Sequence, residues 1–154
     1  MSKPKYTEEL LKIIFLWLGI AFTATGLLSF IGVLKPHANS MIQEPTILGI
    51  VFLFLGITFF IVQSILKIIT SLKNKSHNEL LISGTKINGT VKNVYLQKYT
   101  QYGNKSPYRI FYTYTYQGKV YHHKSYLLWD KPNFTENDSI VVYANDFGKS
   151  TIQL

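Results

Sequence analysis

Four histidines are the residues of this chain best suited to metal chemistry, and two of them, His122 and His123, are adjacent. Successive residues of a strand point to opposite faces, so these two side chains cannot readily share one ion. No carboxylate or thiolate stands beside them to complete a ligand set. We therefore predict no metal and no cofactor, and solvent-facing positions for both histidines.

Nucleophiles and acids are present, but their spacing is not that of a catalytic site. No nucleophile lies in a strand-to-helix elbow, no carboxylates pair at a useful spacing, and no glycine-rich phosphate loop occurs. The later acidic residues fall in turn regions, where such side chains cap the backbone: Asp130, Glu136, Asp138 and Asp146. The sequence predicts a protein without enzymatic activity and without a small-molecule substrate.

Composition narrows the remaining chemistry further. The 154 residues include no cysteine, which excludes disulfides, thiolate metal sites and cysteine nucleophiles. The net charge of +8 comes from scattered lysines, and Arg109 is the sole arginine. Nucleic-acid surfaces depend on clustered cations and phosphate-clamping arginines. We expect no nucleic-acid partner, and we interpret the basic excess as a membrane-orientation signal that also attracts anionic lipid.

The segment from Tyr95 to Tyr108 mixes aromatic and basic side chains in a loop. Tyrosine and arginine are enriched in binding hot spots, and aromatic–basic loops also suit lipid headgroups. An ordinary hairpin loop with its tyrosines packed on the domain is the third interpretation. The candidate partner or lipid contacts are Tyr99, Tyr102, Lys105, Tyr108 and Arg109.

The chain contains two long stretches without a charged residue, residues 13–34 and 46–66. At about 1.5 Å per residue, each helix would span about 30 Å, which is the thickness of the hydrocarbon core. In lipid the backbone must satisfy its own hydrogen bonds, so the stretches are predicted to be helical. Residues 1–75 are predicted to form a transmembrane hairpin, with helices at about 11–34 and 46–71.

Small residues recur at heptad spacing in both predicted helices. They let helix backbones approach closely, which is a main source of association energy in lipid. We predict that the two helices pack on each other, while a second copy of the chain or a membrane partner is the alternative. The candidate packing residues are Gly19, Gly26, Gly49 and Gly56.

The flanks of the hairpin predict its orientation. Lysines precede the first helix and follow the second, whereas the segment between the helices has almost no net charge. The positive-inside rule then places both termini in the cytoplasm, with the protein in the cell membrane. The first apolar run is longer than that of a signal peptide, which argues against cleavage. Neither predicted helix has an ionisable residue at its centre, which argues against a transporter.

Residues 68–79 are predicted to continue the second helix as a basic, polar stalk, after which the periodicity changes from helical to alternating. Five strands are predicted within a β-rich domain of residues 76–154, and dense tyrosine and threonine suit their half-buried surfaces. Strands this short favour a small barrel-like or curled sheet, so the predicted fold class is α+β. The predicted strands are residues 86–98, 108–117, 119–129, 139–144 and 151–154.

Short motifs within residues 80–154 carry a family resemblance. Gly84 to Val91 follows a Gly-x-x-x-x-Gly-x-Val pattern, and a tyrosine-rich strand, Gly118-Lys119-Val120-Tyr121 and a Val-Val-Tyr strand come after it. The domain thereby resembles the bacterial membrane proteins grouped as DUF3592. The resemblance implies a helical hairpin beside a β-domain and supplies no functional site.

Together these features predict a non-enzymatic bacterial membrane protein whose cytosolic β-domain binds a protein partner in an accessory or assembly role. An immunity protein that protects its producer against a membrane-active toxin or bacteriocin is the alternative. A sensor of the lipid surface is a third class, which predicts salt-dependent binding to anionic lipid.

Overall fold

The computed structural model describes residues 3–35, 37, 42 and 44–153. Two helices precede a five-stranded antiparallel curled sheet, which confirms the predicted α+β fold. The chain divides into two compact units, a helical unit of Glu8–Ile69 and a β unit that combines Met1–Thr7 with Thr70–Leu154. The elements are α1 (Thr7–Phe30), α2 (Pro45–Ser83), β1 (Thr85–Leu96), β2 (Tyr108–Tyr116), β3 (Lys119–Lys124), β4 (Ser139–Ala144) and β5 (Ser150–Ile152).

Both helices are long and apolar enough to cross a membrane. Only 17% of the most apolar window of α1 and 11% of that of α2 are buried within the protein, whereas a core helix of a soluble protein is mostly buried. Large side chains such as Trp17, which is 66% exposed, therefore point away from the protein. Exposed apolar surface on this scale is typical of helices that contact lipid.

The helix boundaries differ from the predicted ones for local reasons. α1 ends at Phe30 rather than at residue 34, because Gly32 adopts a left-handed φ of 76°. The amides of Val33 and Leu34 then turn back to the carbonyl of Leu28, at 2.9 and 3.1 Å, and cap the helix. α2 continues past residue 71 to Ser83, so it includes the whole stalk, as predicted, and four residues beyond it.

The sheet has the strand order β3-β2-β1-β4-β5, and every neighbouring pair is antiparallel. Alternate residues of each strand face the concave side, where they form the core. A bulge in β1 between Val91 and Asn93 shifts the register against β2 and makes Lys92 the extra residue. The buried core consists of Val91, Ile110, Tyr112, Tyr114, Ile140, Val142, Ala144 and Ile152.

The third strand is shorter than predicted. It ends at Lys124 rather than at residue 129, because the Ser125 hydroxyl accepts the amide hydrogen of Ile110 at 2.9 Å and takes over that position of the ladder. The following segment keeps one isolated bridge, between Tyr108 and Leu128. At the other edge, β5 spans Ser150–Ile152, and the predicted end of that strand at Leu154 lies outside the described residues.

Three tyrosine hydroxyls close the curl of the sheet. Tyr112 shares a hydrogen bond of 3.1 Å with the Ser150 hydroxyl, and Tyr114 donates to the carbonyl of Gly148 at 3.3 Å. Tyr116 donates to the Asp146 carboxylate at 2.6 Å. We call this set the tyrosine ladder; it ties alternate residues of β2 to the β4–β5 hairpin.

Candidate partner-binding surface

The segment predicted to be a loop, Tyr95 to Tyr108, begins within β1 and ends at the first residue of β2. Residues 97–107 between them, which we call the contact loop, form an ordered extension of the β1–β2 hairpin. The amide of Gln97 donates to the carbonyl of Pro107 at 2.8 Å, and Tyr102 and Lys105 pair through both backbone groups, at 3.0 and 3.2 Å. Gly103 and Asn104 adopt left-handed φ values of 55° and 61°, which suits a two-residue hairpin turn. The backbone of the loop is therefore fixed by its own hydrogen bonds.

The predicted contact residues separate into two groups. The side chains of Tyr99 and Lys105 are exposed, and that of Tyr99 is fully so. Tyr102 instead packs its ring against Trp129, with centroids 5.8 Å apart. Tyr108 is half-buried, and its amide and carbonyl both pair with Leu128, at 2.6 and 3.0 Å. Tyr99 is thus the aromatic residue that this loop presents to solvent.

Arg109 is half-buried and serves the protein itself. One terminal nitrogen of its guanidinium donates to the Thr7 hydroxyl at 3.1 Å. Its Nε is buried and has no hydrogen-bond partner among the residues that the structure describes. Arg109 therefore helps to hold the start of the chain.

Residues 3–7, which we call the N-terminal strap, form a contact that the sequence did not predict. The Trp129 indole donates to the carbonyl of Pro4 at 2.7 Å, and the amide of Leu127 donates to the carbonyl of Lys5 at 2.9 Å. Lys3 and Asp130 form an exposed ion pair at 3.2 Å. A buried indole requires an acceptor, but nothing in the sequence indicates that residue 4 supplies it.

Cation–π contacts secure the rest of the strap. The Lys5 ammonium lies 5.7 Å from the centre of the Tyr126 ring, and that of Lys73, in α2, lies 5.6 Å from the centre of the Tyr6 ring. The Tyr6 hydroxyl also donates to the carbonyl of Lys73 at 3.5 Å. The strap thus joins the end of α2 to the segment after β3.

The histidines do not assemble into a ligand set. His122 is exposed as predicted, but the prediction for His123 is wrong: it is half-buried and stacks on Tyr112 at 6.3 Å, because it shares the concave face of the sheet with that ring. Burial lowers the pKa of His123, a hydrogen bond with the Gly148 backbone partly offsets this, and the nearby His122 lowers it further. Among the described residues, no three histidine or acidic side chains lie close enough to hold a metal.

His77 is a buried polar residue of the stalk. Its Nδ1 lies 2.6 Å from the Thr151 hydroxyl, and its ring meets Tyr126 edge-on at 5.4 Å. Burial lowers the pKa of His77, and the positive charge of Lys5 lowers it further. The neutral imidazole therefore fixes the end of α2 to β5.

Within the helical unit, the four predicted glycines lie where α1 and α2 meet. A Cβ atom on Gly26 would lie 2.8 Å from the amide nitrogen of Leu53, and one on Gly49 would lie 2.8 Å from that of Phe30. Gly19 faces the Phe60 ring, and Gly56 faces the hydroxyl and the backbone of Thr23. Since most of these neighbours are backbone atoms, larger residues would force the helices apart.

Comparisons with known proteins do not help to interpret this geometry. Comparison of the chain with protein-family models, curated proteins and solved structures finds no match in any of the three. The resemblance to DUF3592 therefore stays a prediction, and the function is argued from the residues alone.

Proposed function

We propose that this chain is a bacterial cell-membrane protein whose β unit lies in the cytoplasm and binds a protein partner in an accessory or assembly role. α1 and α2 span the membrane as a hairpin, and both termini are cytoplasmic. Support comes from the exposed apolar surface of both helices and from the lysines that flank them. The strap also supports an even number of spans, because residues 3–7 bind the same unit that follows α2.

The exposure of Tyr99 is the main support for a protein partner. This side chain is fully exposed on a loop whose backbone is fixed by its own hydrogen bonds. An aromatic residue held in place before binding loses little entropy in the complex, and tyrosine is among the commonest hot-spot residues. We therefore assign Tyr99 as the anchor that enters a pocket of the partner, with Lys105 at the rim.

Photo-crosslinking in intact cells tests this assignment. A benzophenone amino acid replaces Tyr99 in one variant and Phe147 in another; Phe147 lies in the β4–β5 hairpin and is 89% exposed, so it controls for exposure alone. We expect one adduct of defined mass from position 99 and none of that mass from position 147. Equal adducts from both positions, or none from position 99, would contradict the proposal.

The identity of the adduct then separates the two roles. A cytosolic or membrane assembly component would support the accessory role. A membrane-active toxin or its receptor would replace that role with the immunity function.

A further inference from the structure

One continuous half of the β unit carries positive charge without any negative charge. Residues 80–129, which include β1, β2, β3 and the contact loop, contain six lysines and Arg109 but no aspartate or glutamate. The acidic residues that follow this run are confined to loops and turns. Strands β1, β2 and β3 therefore carry positive charge only, and the negative charges that follow lie outside the strands.

On the convex face of this half, three of these cations lie on the strands next to two aromatic rings. Phe111 points away from the core and is 41% exposed, and the Tyr95 ring stacks on it with centroids 5.0 Å apart. Lys124 is the cross-strand partner of Phe111 on β3, and the exposed Lys92 of the β1 bulge directly precedes Asn93, the partner of Phe111 on β1. Arg109 is the cross-strand partner of Tyr95. Because Arg109 is half-buried and bonded to Thr7, it lies at the edge of this surface, and we call Tyr95, Phe111, Lys92 and Lys124 the outer patch.

We infer that the outer patch docks on anionic lipid headgroups of the membrane that α1 and α2 span. The inference rests on the proposed membrane-spanning hairpin and is independent of the protein partner at Tyr99. Aromatic rings flanked by lysines are the composition of segments that lie at the membrane surface. The cytoplasmic leaflet is negatively charged, and each nearby lysine adds to the attraction.

The chain keeps this charged surface in reach. Arg109 contacts Thr7, and the charge-free stretch of α1 begins at Ile13. Only five residues of sequence, 8–12, therefore separate the strap from this stretch. A tether this short gives the headgroups a high effective concentration, so that weak individual attractions suffice for docking.

The lysines also suit a function that does not involve lipid. On an open edge strand such as β3, lysines discourage pairing with a strand of another chain. That role does not depend on the charge of the lipid. A measurement in bilayers that differ only in headgroup charge therefore separates the two roles.

The experiment uses the full chain in nanodiscs of phosphatidylcholine, with or without about a third phosphatidylglycerol. The chain has no cysteine, so Asn93→Cys, opposite Phe111, carries a single environment-sensitive fluorophore, and Phe147→Cys carries it as a control. We expect a blue shift and quenching by nitroxide-labelled headgroups at position 93, in the anionic discs alone and reversed by high salt. Equal signals in both discs would overturn the inference.

Matched charge variants complete the test. Lys92→Gln with Lys124→Gln should lower the ratio of docked to undocked domain about 30-fold, from about fivefold per lysine. Lys131→Gln with Lys149→Gln removes the same charge from exposed sites outside the patch and should change the ratio less than about twofold. Equal effects of the two pairs would overturn the inference.

Other anions are outcomes of the same assay. If an acidic peptide or a single-stranded oligonucleotide shifts the position-93 signal in neutral discs more than anionic lipid does, the lipid assignment is wrong. None of these results alters the crosslink expected at Tyr99, so the two proposals fail separately.

Discussion

Removing the Trp129 hydrogen bond tests whether the N-terminal strap stabilises the β unit, because the buried indole donates to this strap. Its Nε1 donates to the carbonyl of Pro4 at 2.7 Å, and both residues are buried. Trp129→Phe keeps an aromatic ring but leaves that carbonyl unpaired, which costs about 1–3 kcal/mol. For a unit of this size we expect the melting temperature to fall by about 4–20 °C.

Calorimetry of the full chain in nanodiscs measures this change, and hydrogen exchange at the Leu127 amide, which is bonded to Lys5, reports release of the strap. Trp17→Phe is the matched control, since it removes an indole that is 66% exposed and should shift stability by less than about 0.5 kcal/mol. The reasoning is refuted if both variants melt together, or if Leu127 stays protected in Trp129→Phe.

Three further predictions follow from buried groups and from the helix contact. Burial raises the pKa of Tyr112 from 10.0 to about 12, so the stability that this group contributes is complete below pH 10 and is lost as the pH rises towards 12; Tyr112→Phe should remove that alkaline loss in melting curves. The lowered pKa of His77 means that its contribution is complete above pH 6.5 and is lost in more acidic solution, and His77→Asn should flatten this acidic decline. Gly26→Leu should destabilise the hairpin by about 1–3 kcal/mol in thermal unfolding of the helices, whereas Ala24→Leu at an exposed position of α1 should not.

Patterns that repeat along the chain predicted the elements well. The charge-free stretches locate α1 and α2, and the alternation of residues 108–116 reproduces β2 and its buried face. In both cases one pattern, uniform or alternating, extends over many residues, so a single exception does not change the result.

Features that depend on a single residue were not predicted from the sequence. The end of β3 is decided by the Ser125 hydroxyl, and the end of α1 by the φ of Gly32. The half-buried position of His123 follows from sharing a face with Tyr112. Each requires knowledge of the strand register or backbone conformation, which hydropathy and spacing do not contain.

Long-range contacts explain why the candidate surface was predicted only in part. Arg109 and Tyr102 are residue types that are common in binding loops. In the structure, however, Arg109 contacts Thr7 and Tyr102 contacts Trp129, and both partners are distant in the sequence. The tyrosine ladder likewise joins β2 to a hairpin more than 25 residues away. A sequence shows that such side chains need partners, and the fold decides which partners they receive.

Labelling of single cysteines in intact cells tests most directly that the hairpin spans the membrane with the β unit in the cytoplasm. One cysteine replaces Ser40, in the sequence between α1 and α2, and another replaces the exposed Phe147. A membrane-impermeant maleimide should label position 40 in intact cells and position 147 only after the cells are permeabilised. Labelling of position 147 in intact cells would place the β unit outside the cell and contradict the account.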